Sequence, residues 1–201
     1  MPDIRLSKLA EVLVHHSTKV KPGDWVHITA GRIAVPLVRE VVREVLKAGG
    51  YPTTSLESDE LEELFQAQAS EKQLQWTSPL DMFLVQNMAV SVFIAAPENT
   101  RALSAIEPSR QQMRQFAYRE WMETHMRRSA AGELRWVMTN YPCQALAQEA
   151  EMSLADYENF VFGATFADQP DPVQCWQQIH ADQQRLVEWL DGKKTLTIRG
   201  I

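Results

Sequence analysis

The sequence has 201 residues, of which 45% are hydrophobic and 23% are charged, and its formal net charge at pH 7 is −6. These proportions are typical of a globular protein with one sizeable α/β domain rather than of a disordered or fibrous chain. The acidic balance argues against nucleic acid as a main partner, because phosphate binding requires a basic face. No run approaches the roughly 18 apolar residues of a membrane span, and the charged, amphipathic N-terminus does not resemble a secretory signal.

Helical and strand-like stretches alternate along the sequence. Apolar residues at helical spacing predict a first helix from Leu6 to Lys19. The next predicted elements, in chain order, are a strand over 25–30, a helix that starts at Pro36 and stops at Gly49-Gly50, a strand over 51–57 and a helix capped by Ser58 or Asp59. They are followed by a helix over 71–85 that is interrupted at Ser78-Pro79, a buried strand over 88–96 and a polar helix over 108–128. The last predicted elements are a strand over 134–142, a helix over 152–164 capped by Ser153, a helix from Asp171-Pro172 and a terminal strand over 195–199.

Five strand candidates separated by helices favour an α/β fold. We expect a mostly parallel sheet of about five strands with helices on both faces, a Rossmann-like three-layer arrangement. The second helix should bury its apolar residues, which are Leu37, Val38, Val41, Val42, Val45 and Leu46. It should expose its charged residues, which are Arg39, Glu40, Arg43, Glu44 and Lys47. No linker rich in Pro, Gly or Ser divides the chain, so residues 1–201 are expected to form a single domain.

The histidines do not form a metal-binding motif. The sequence contains His15, His16, His27, His125 and His180, with no H-E-x-x-H and no paired cysteine spacing. Glu123 and His125 are two residues apart on a predicted helix, as are His180 and Asp182, and this spacing points the side chains about 200° apart. We therefore expect no metal site among these residues.

Two further kinds of site are conceivable at the ends of predicted strands. The turn at Gly31, with Arg32 beside it, could present backbone N–H groups to an anion, but it lacks the glycines of a dinucleotide fingerprint and the G-K-[ST] of a P-loop. Cys143 follows a strand and has no histidine partner in sequence, so a small buried thiol is the simpler interpretation. With Cys175 it is expected to stay reduced in a cytoplasmic protein. The six tryptophans are interpreted as core or interface anchors. No catalytic, cofactor-binding or metal-ligating residue is assigned.

Four stretches, taken together and in order, carry a family resemblance. They are LAEVLVHHSTKVKPGDWVHI (9–28), VPLVREVVREVLKAGGYP (35–52), RWVMTNYPCQALAQEAEMSLADYENFVFGATFADQPDPVQCW (135–176) and HADQQRLVEWLDGKKTLTIRG (180–200). They resemble the N-terminal half of the thermophilic-type metalloaminopeptidases, the family of aminopeptidase T, aminopeptidase S and PepS. The resemblance covers nearly the whole chain, although no single stretch is a catalytic motif.

This resemblance implies an activity, and it implies that the metal ligands lie in a second region of the complete protein. A complete family member removes N-terminal residues from peptides, uses two divalent metal ions (Zn, Co or Mg) and forms a homodimer. Its metal ligands and catalytic tyrosine lie in a second region that would follow Ile201. We therefore expect the C-terminal metal-binding domain to be absent from this sequence, and the chain alone to be inactive and to bind no catalytic metal. The alternatives are a standalone non-catalytic binding or dimerisation module with the same fold and, more weakly, a small-molecule domain that uses the Gly31 turn.

Overall fold

A computed structural model describes residues 3–200 of the chain. In this part of the chain, four parallel strands form one sheet with the order β2-β1-β3-β4. The strands are β1 (Trp25–Gly31), β2 (Tyr51–Glu57), β3 (Val90–Ala95) and β4 (Arg135–Asn140). The helices are α1 (Ile4–Glu11), α2 (Val35–Lys47), α3 (Asp59–Gln68), α4 (Glu71–Leu74), α5 (Pro79–Asn87), α6 (Pro108–Ala117), α7 (Arg119–Ala130), α8 (Gln144–Glu149), α9 (Leu154–Ala164) and α10 (Pro172–Leu190). The predicted α/β fold with a parallel sheet is confirmed.

The hydrophobic core lies between one face of the sheet and helices α1, α2 and α9. Because successive strand residues point to opposite faces, β1 and β3 each send every second side chain into this core. These side chains are fully buried and comprise Val26, Ile28, Ala30, Val90, Val92 and Ile94. Helix α2 covers them with Leu37, Val41 and Val45, and α9 adds Phe162. The regular alternation in the two central strands thus forms the largest buried cluster, between this face of the sheet and these helices.

The predicted fifth strand is wrong. Residues 195–199 have no regular secondary structure, and the side chain of Ile198 is 85% exposed. Alternating apolar residues form a strand only where a neighbouring strand pairs with their backbone groups. The edge strands of the described sheet are β2 and β4, and neither of them pairs with residues 195–199.

The predicted outward face of α2 is also partly wrong. Glu40 and Glu44 are buried, whereas Leu46 is exposed. The carboxylate of Glu44 lies 3.0 Å from His15 Nε2, on the π-helical turn that continues α1 over Val12–Ser17, and 2.7 Å from Lys47 Nζ. A buried charge requires such partners. Packing of α2 against the first helix therefore covers charged positions that the helical pattern alone assigns to solvent.

The remaining differences concern helix boundaries. The predicted polar helix over 108–128 is two helices that meet at Tyr118, and the sequence pattern did not predict α8. A helix of six residues is too short to show a helical period in the sequence. Helix α9 begins as predicted, because the Ser153 hydroxyl accepts a hydrogen bond from the backbone N–H of Asp156 at 3.1 Å. None of the helices within residues 3–200 is long and apolar enough to cross a membrane.

Candidate functional site

Gly31 lies at the point where the strand order reverses, between the carboxyl ends of β1 and β3. Ligands of open α/β sheets often bind in the crevice outside such a point. At Gly31, however, an added Cβ would stand only 2.2 Å from the carbonyl oxygen of Ala96, which follows β3. The glycine is therefore required because the backbones of two neighbouring strands approach closely there.

The polar groups around this turn are already paired with one another. Arg32 donates to Glu98, with 3.0 Å between Nη2 and Oε1. The carboxylate of Asp59 accepts the backbone N–H groups of Glu98 and Asn99 at 2.8 and 3.0 Å. The guanidinium that could have bound an anion thus has a carboxylate partner within the protein.

Cys143 is a buried thiol, as the sequence predicted. Its Sγ donates to the carbonyl oxygen of Pro97 at 3.3 Å, and the side chain is almost completely covered. Cys143 and Cys175 are both free cysteines. The thiol of Cys143 therefore joins the ends of β3 and β4 by a hydrogen bond.

The histidines are held in separate environments. His15 contacts Glu44, while the ring nitrogens of His27 lie 2.9 and 3.1 Å from the hydroxyls of Thr53 and Ser55. His16 lies beside Trp176, with 6.0 Å between ring centroids. Across residues 3–200, no group of three or more His, Cys, Asp or Glu side chains could hold a metal ion.

A cavity of about 490 Å³ lies over the sheet face opposite the core. The strand residues that alternate with the core residues form its floor. Helices α5 and α7 form its walls. The floor contains His27, Thr29, Ser55, Glu57, Ser91, Phe93, Trp136 and Met138, and the walls include Asp81, Leu84, Tyr118, Trp121, Met122 and His125. This face of the sheet is therefore only partly covered, in contrast to the other face.

The charges of this cavity are of one sign. Glu57 and Asp81 supply carboxyl groups, and the wall contains no lysine or arginine among the described residues. Displacement of water raises the pKa of Glu57, and the neighbouring carboxylates Glu62, Asp59 and Asp81 raise it further. Burial lowers the pKa of His27 and of His125, which favours the neutral form of both rings.

Among the cavity-wall residues on α7, His125 is the most buried polar side chain. Its ring stacks on Trp121 with 5.1 Å between centroids and meets Trp136 edge-on at 5.7 Å. The atom Nδ1 is buried and has no hydrogen-bond partner within the described residues. One tryptophan from α7 and one from β4 thus enclose this histidine.

Sequence reasoning missed this cavity because its residues come from four strands and two helices. One signal was present, since H-x-T in β1, T-x-S-x-E in β2 and S-x-F in β3 place polar or aromatic residues on one face of each strand. A larger cavity of about 640 Å³ lies along β4, beside the π-helical turn and α10. Its wall includes His15, His16, Lys19 and His180, and His15 is already paired with Glu44.

Comparison with known proteins shows where this fold occurs. The family model described as "Thermophilic metalloprotease (M29)" matches residues 3–200. Aminopeptidase 2 of Geobacillus stearothermophilus is 24% identical over 205 residues, which cover 94% of this chain and 48% of that protein. The structure of wild-type AmpT from Thermus thermophilus superposes with a TM-score of 0.75 at 19% identity, over 92% of this chain and 48% of that one, and so supports the fold.

The chain spans about half the length of the curated relative it matches. The family model, in contrast, matches nearly every described residue. The resemblance found in the four sequence stretches is confirmed by this match. The chain belongs to the thermophilic metalloprotease family, whose members are metal-dependent aminopeptidases.

Proposed function

We propose that residues 3–200 form a single domain that is the first half of a metal-dependent aminopeptidase, and that the metal-binding half lies outside this sequence. One observation carries the proposal. The family model matches residues 3–200, yet the matched region accounts for only 48% of Aminopeptidase 2. The complete enzyme would hydrolyse the N-terminal residue from a peptide, and this half would supply scaffold and wall. Its two free thiols support a reducing, cytoplasmic location.

The two divalent ions expected of the complete enzyme (Zn, Co or Mg) do not fit the described residues. Metal ligands must converge on one point, with about four protein or water donors for zinc and about six for magnesium. Here His15 faces Glu44, His27 lies between two hydroxyls, and His125 is enclosed by tryptophans. We therefore derive no catalytic step from these residues.

The test is an activity assay on the chain alone. Aminoacyl p-nitroanilides should be incubated with the purified protein and Co²⁺, Zn²⁺ or Mg²⁺, with full-length Aminopeptidase 2 as the positive control. We expect no release of p-nitroaniline above a metal-only blank, and no saturable metal binding by calorimetry. Chelator-sensitive turnover that is absent from a mock purification would refute the proposal.

A homodimer is part of the proposed function, and α10 supplies the surface that supports it. The second half of this helix exposes Leu186, Val187 and Trp189, each by more than half. Light scattering should show concentration-dependent self-association that Leu186→Glu weakens. Leu61→Glu, on a similarly exposed leucine of α3, is the matched control and should leave the self-association unchanged. A monomer at all concentrations would contradict this part of the proposal.

A standalone binding module is the second candidate, and the partly open cavity over the sheet favours it. The native gene distinguishes the two candidates just downstream of the codon for Ile201. An open reading frame that continues into a region rich in glutamate and histidine supports the enzyme half. A stop codon at that point supports the module.

A further inference from the structure

The cavity over the open sheet face has the dimensions of a small-molecule site. Its volume of about 490 Å³ falls within the range of about 300 to 1,000 Å³ that is common for ligand pockets. Such pockets combine mostly apolar walls with a few polar groups that orient the ligand. Here Phe93 and Trp136 of the floor, Trp121 of the wall and several methionines provide the apolar surface. The sheet provides a rigid floor.

A buried, unpaired polar group lies in this wall. His125 is only 8% exposed, and its Nδ1 has no hydrogen-bond partner among residues 3–200. Buried polar atoms in folded proteins nearly always have a partner, so each exception requires an explanation. His27 on the floor differs in this respect, because the hydroxyls of Thr53 and Ser55 lie within hydrogen-bonding distance of its two ring nitrogens. His125 is therefore a buried wall residue whose Nδ1 forms no hydrogen bond with the described residues.

The charge of the cavity selects the sign of a ligand. Its ionisable lining residues are the carboxyl groups of Glu57 and Asp81, the phenol of Tyr118, and two histidines whose pKa burial lowers. The guanidinium of Arg114 does not line the cavity, and it donates to the hydroxyl of Tyr118 at 2.8 Å and to the backbone carbonyl of Trp76 at 3.0 Å. The negative faces of aromatic rings also attract cations. The carboxylates of Glu57 and Asp81 would repel a bound anion and attract a bound cation.

We propose that this cavity binds a small organic cation, a primary ammonium group carried on an aromatic or branched aliphatic body. The ammonium group would lie toward Glu57 and Asp81. The apolar body would lie against Trp121 and Trp136. This proposal concerns binding by the described residues themselves and does not depend on the aminopeptidase proposal.

The test uses three probes that share one phenyl body and differ in charge. Binding of 2-phenylethylamine, 2-phenylethanol and 3-phenylpropionate to the full chain should be measured by calorimetry at pH 7. We expect saturable binding of the amine, at least tenfold weaker binding of the alcohol and no saturable binding of the carboxylate. Equal affinity for the three probes, or no binding of the amine, would overturn the proposal without any variant.

Two substitutions then locate the site. Glu57→Gln and Asp81→Asn should each weaken amine binding at least fivefold and leave the alcohol nearly unchanged. Glu63→Gln, an exposed carboxylate on α3 outside the cavity, is the matched control and should have no effect. Trp136→Ala should weaken the amine and the alcohol alike, whereas Trp189→Ala should weaken neither. If the amine binds equally to the wild type and to both carboxylate variants, the assigned site is wrong.

Discussion

Replacement of Gly31 by alanine tests the closest backbone approach in the sheet. The added Cβ would lie 2.2 Å from the carbonyl oxygen of Ala96 and 2.9 Å from its carbonyl carbon. Real Cβ contacts shorter than 3.0 Å are essentially unknown, so the two strand ends must separate by about 0.8 Å. Both atoms of Ala96 belong to the backbone, and no side-chain rotation can relieve the contact. The ends of β1 and β3 must therefore separate beyond the Ala30–Ile94 pair.

The expected loss of stability is a consequence of this overlap. Overpacking of a well-packed site costs about 1 to 3 kcal/mol, and a backbone collision belongs to the upper part of that range. The lower chain entropy of unfolded alanine returns about 0.4 to 1 kcal/mol. The net loss is then about 2 kcal/mol. For a domain of this size, it lowers the melting temperature by about 4 to 8 °C.

Circular dichroism during thermal unfolding measures this change. Gly163→Ala in α9 is a matched control of opposite sign, because its Cβ would meet no atom closer than Asp168 Oδ2 at 3.9 Å. Alanine within a helix is more stable than glycine by about 0.5 to 1 kcal/mol, so the control should melt slightly higher. A Gly31→Ala variant that melts at or above the wild-type temperature would refute the reasoning.

Substitutions at three further positions probe separate interactions. Arg135→Leu should lower the free energy of unfolding, measured by chemical denaturation, by about 2 to 3 kcal/mol. The reason is that the guanidinium of Arg135 contacts Asp24 at 2.7 Å and donates to two backbone carbonyls before β1. A loss below about 0.5 kcal/mol would contradict this. Burial lowers the pKa of His125, so its contribution to stability is present above pH 6.5 and is lost as pH falls through the folded-state pKa. His125→Phe should therefore flatten the decline in unfolding free energy between pH 7.5 and 5.5, and an unchanged slope would exclude this origin. Ser153→Ala should lower the free energy of unfolding by about 1 kcal/mol, because it removes the hydroxyl that accepts the backbone N–H of Asp156 at the start of α9. Ser153→Asn should retain most of this stability, because asparagine also caps helices.

Local composition was sufficient to predict the core strands. The apolar run over 88–96, rich in Val, Phe and Ile, predicted β3, and the short stretch 25–30 before Gly31 predicted β1. The break at Ser78-Pro79 and the cap at Ser153 were also predictable, because each depends on residues within one helical turn. Such features need no knowledge of distant parts of the chain.

Features that depend on distant partners were not predictable. Residues 195–199 alternate like a strand, yet a strand requires a neighbour for its backbone groups, and the described sheet provides none there. Glu44 has the position of an exposed helix residue, and packing of α2 against the first helix buries it beside His15. Both errors arise because one segment's pattern says nothing about the segments that pack against it.

The sequence by itself therefore determined the fold class and, through the resemblance of its four stretches, the family. Only the tertiary structure decided that one sheet face is left partly open and that Glu57, Asp81 and the ring of His125 gather above it. These side chains come from separate elements and from widely spaced positions in the chain. Their proximity is a consequence of parallel pairing and of where α5 and α7 pack, which no local pattern of residues encodes.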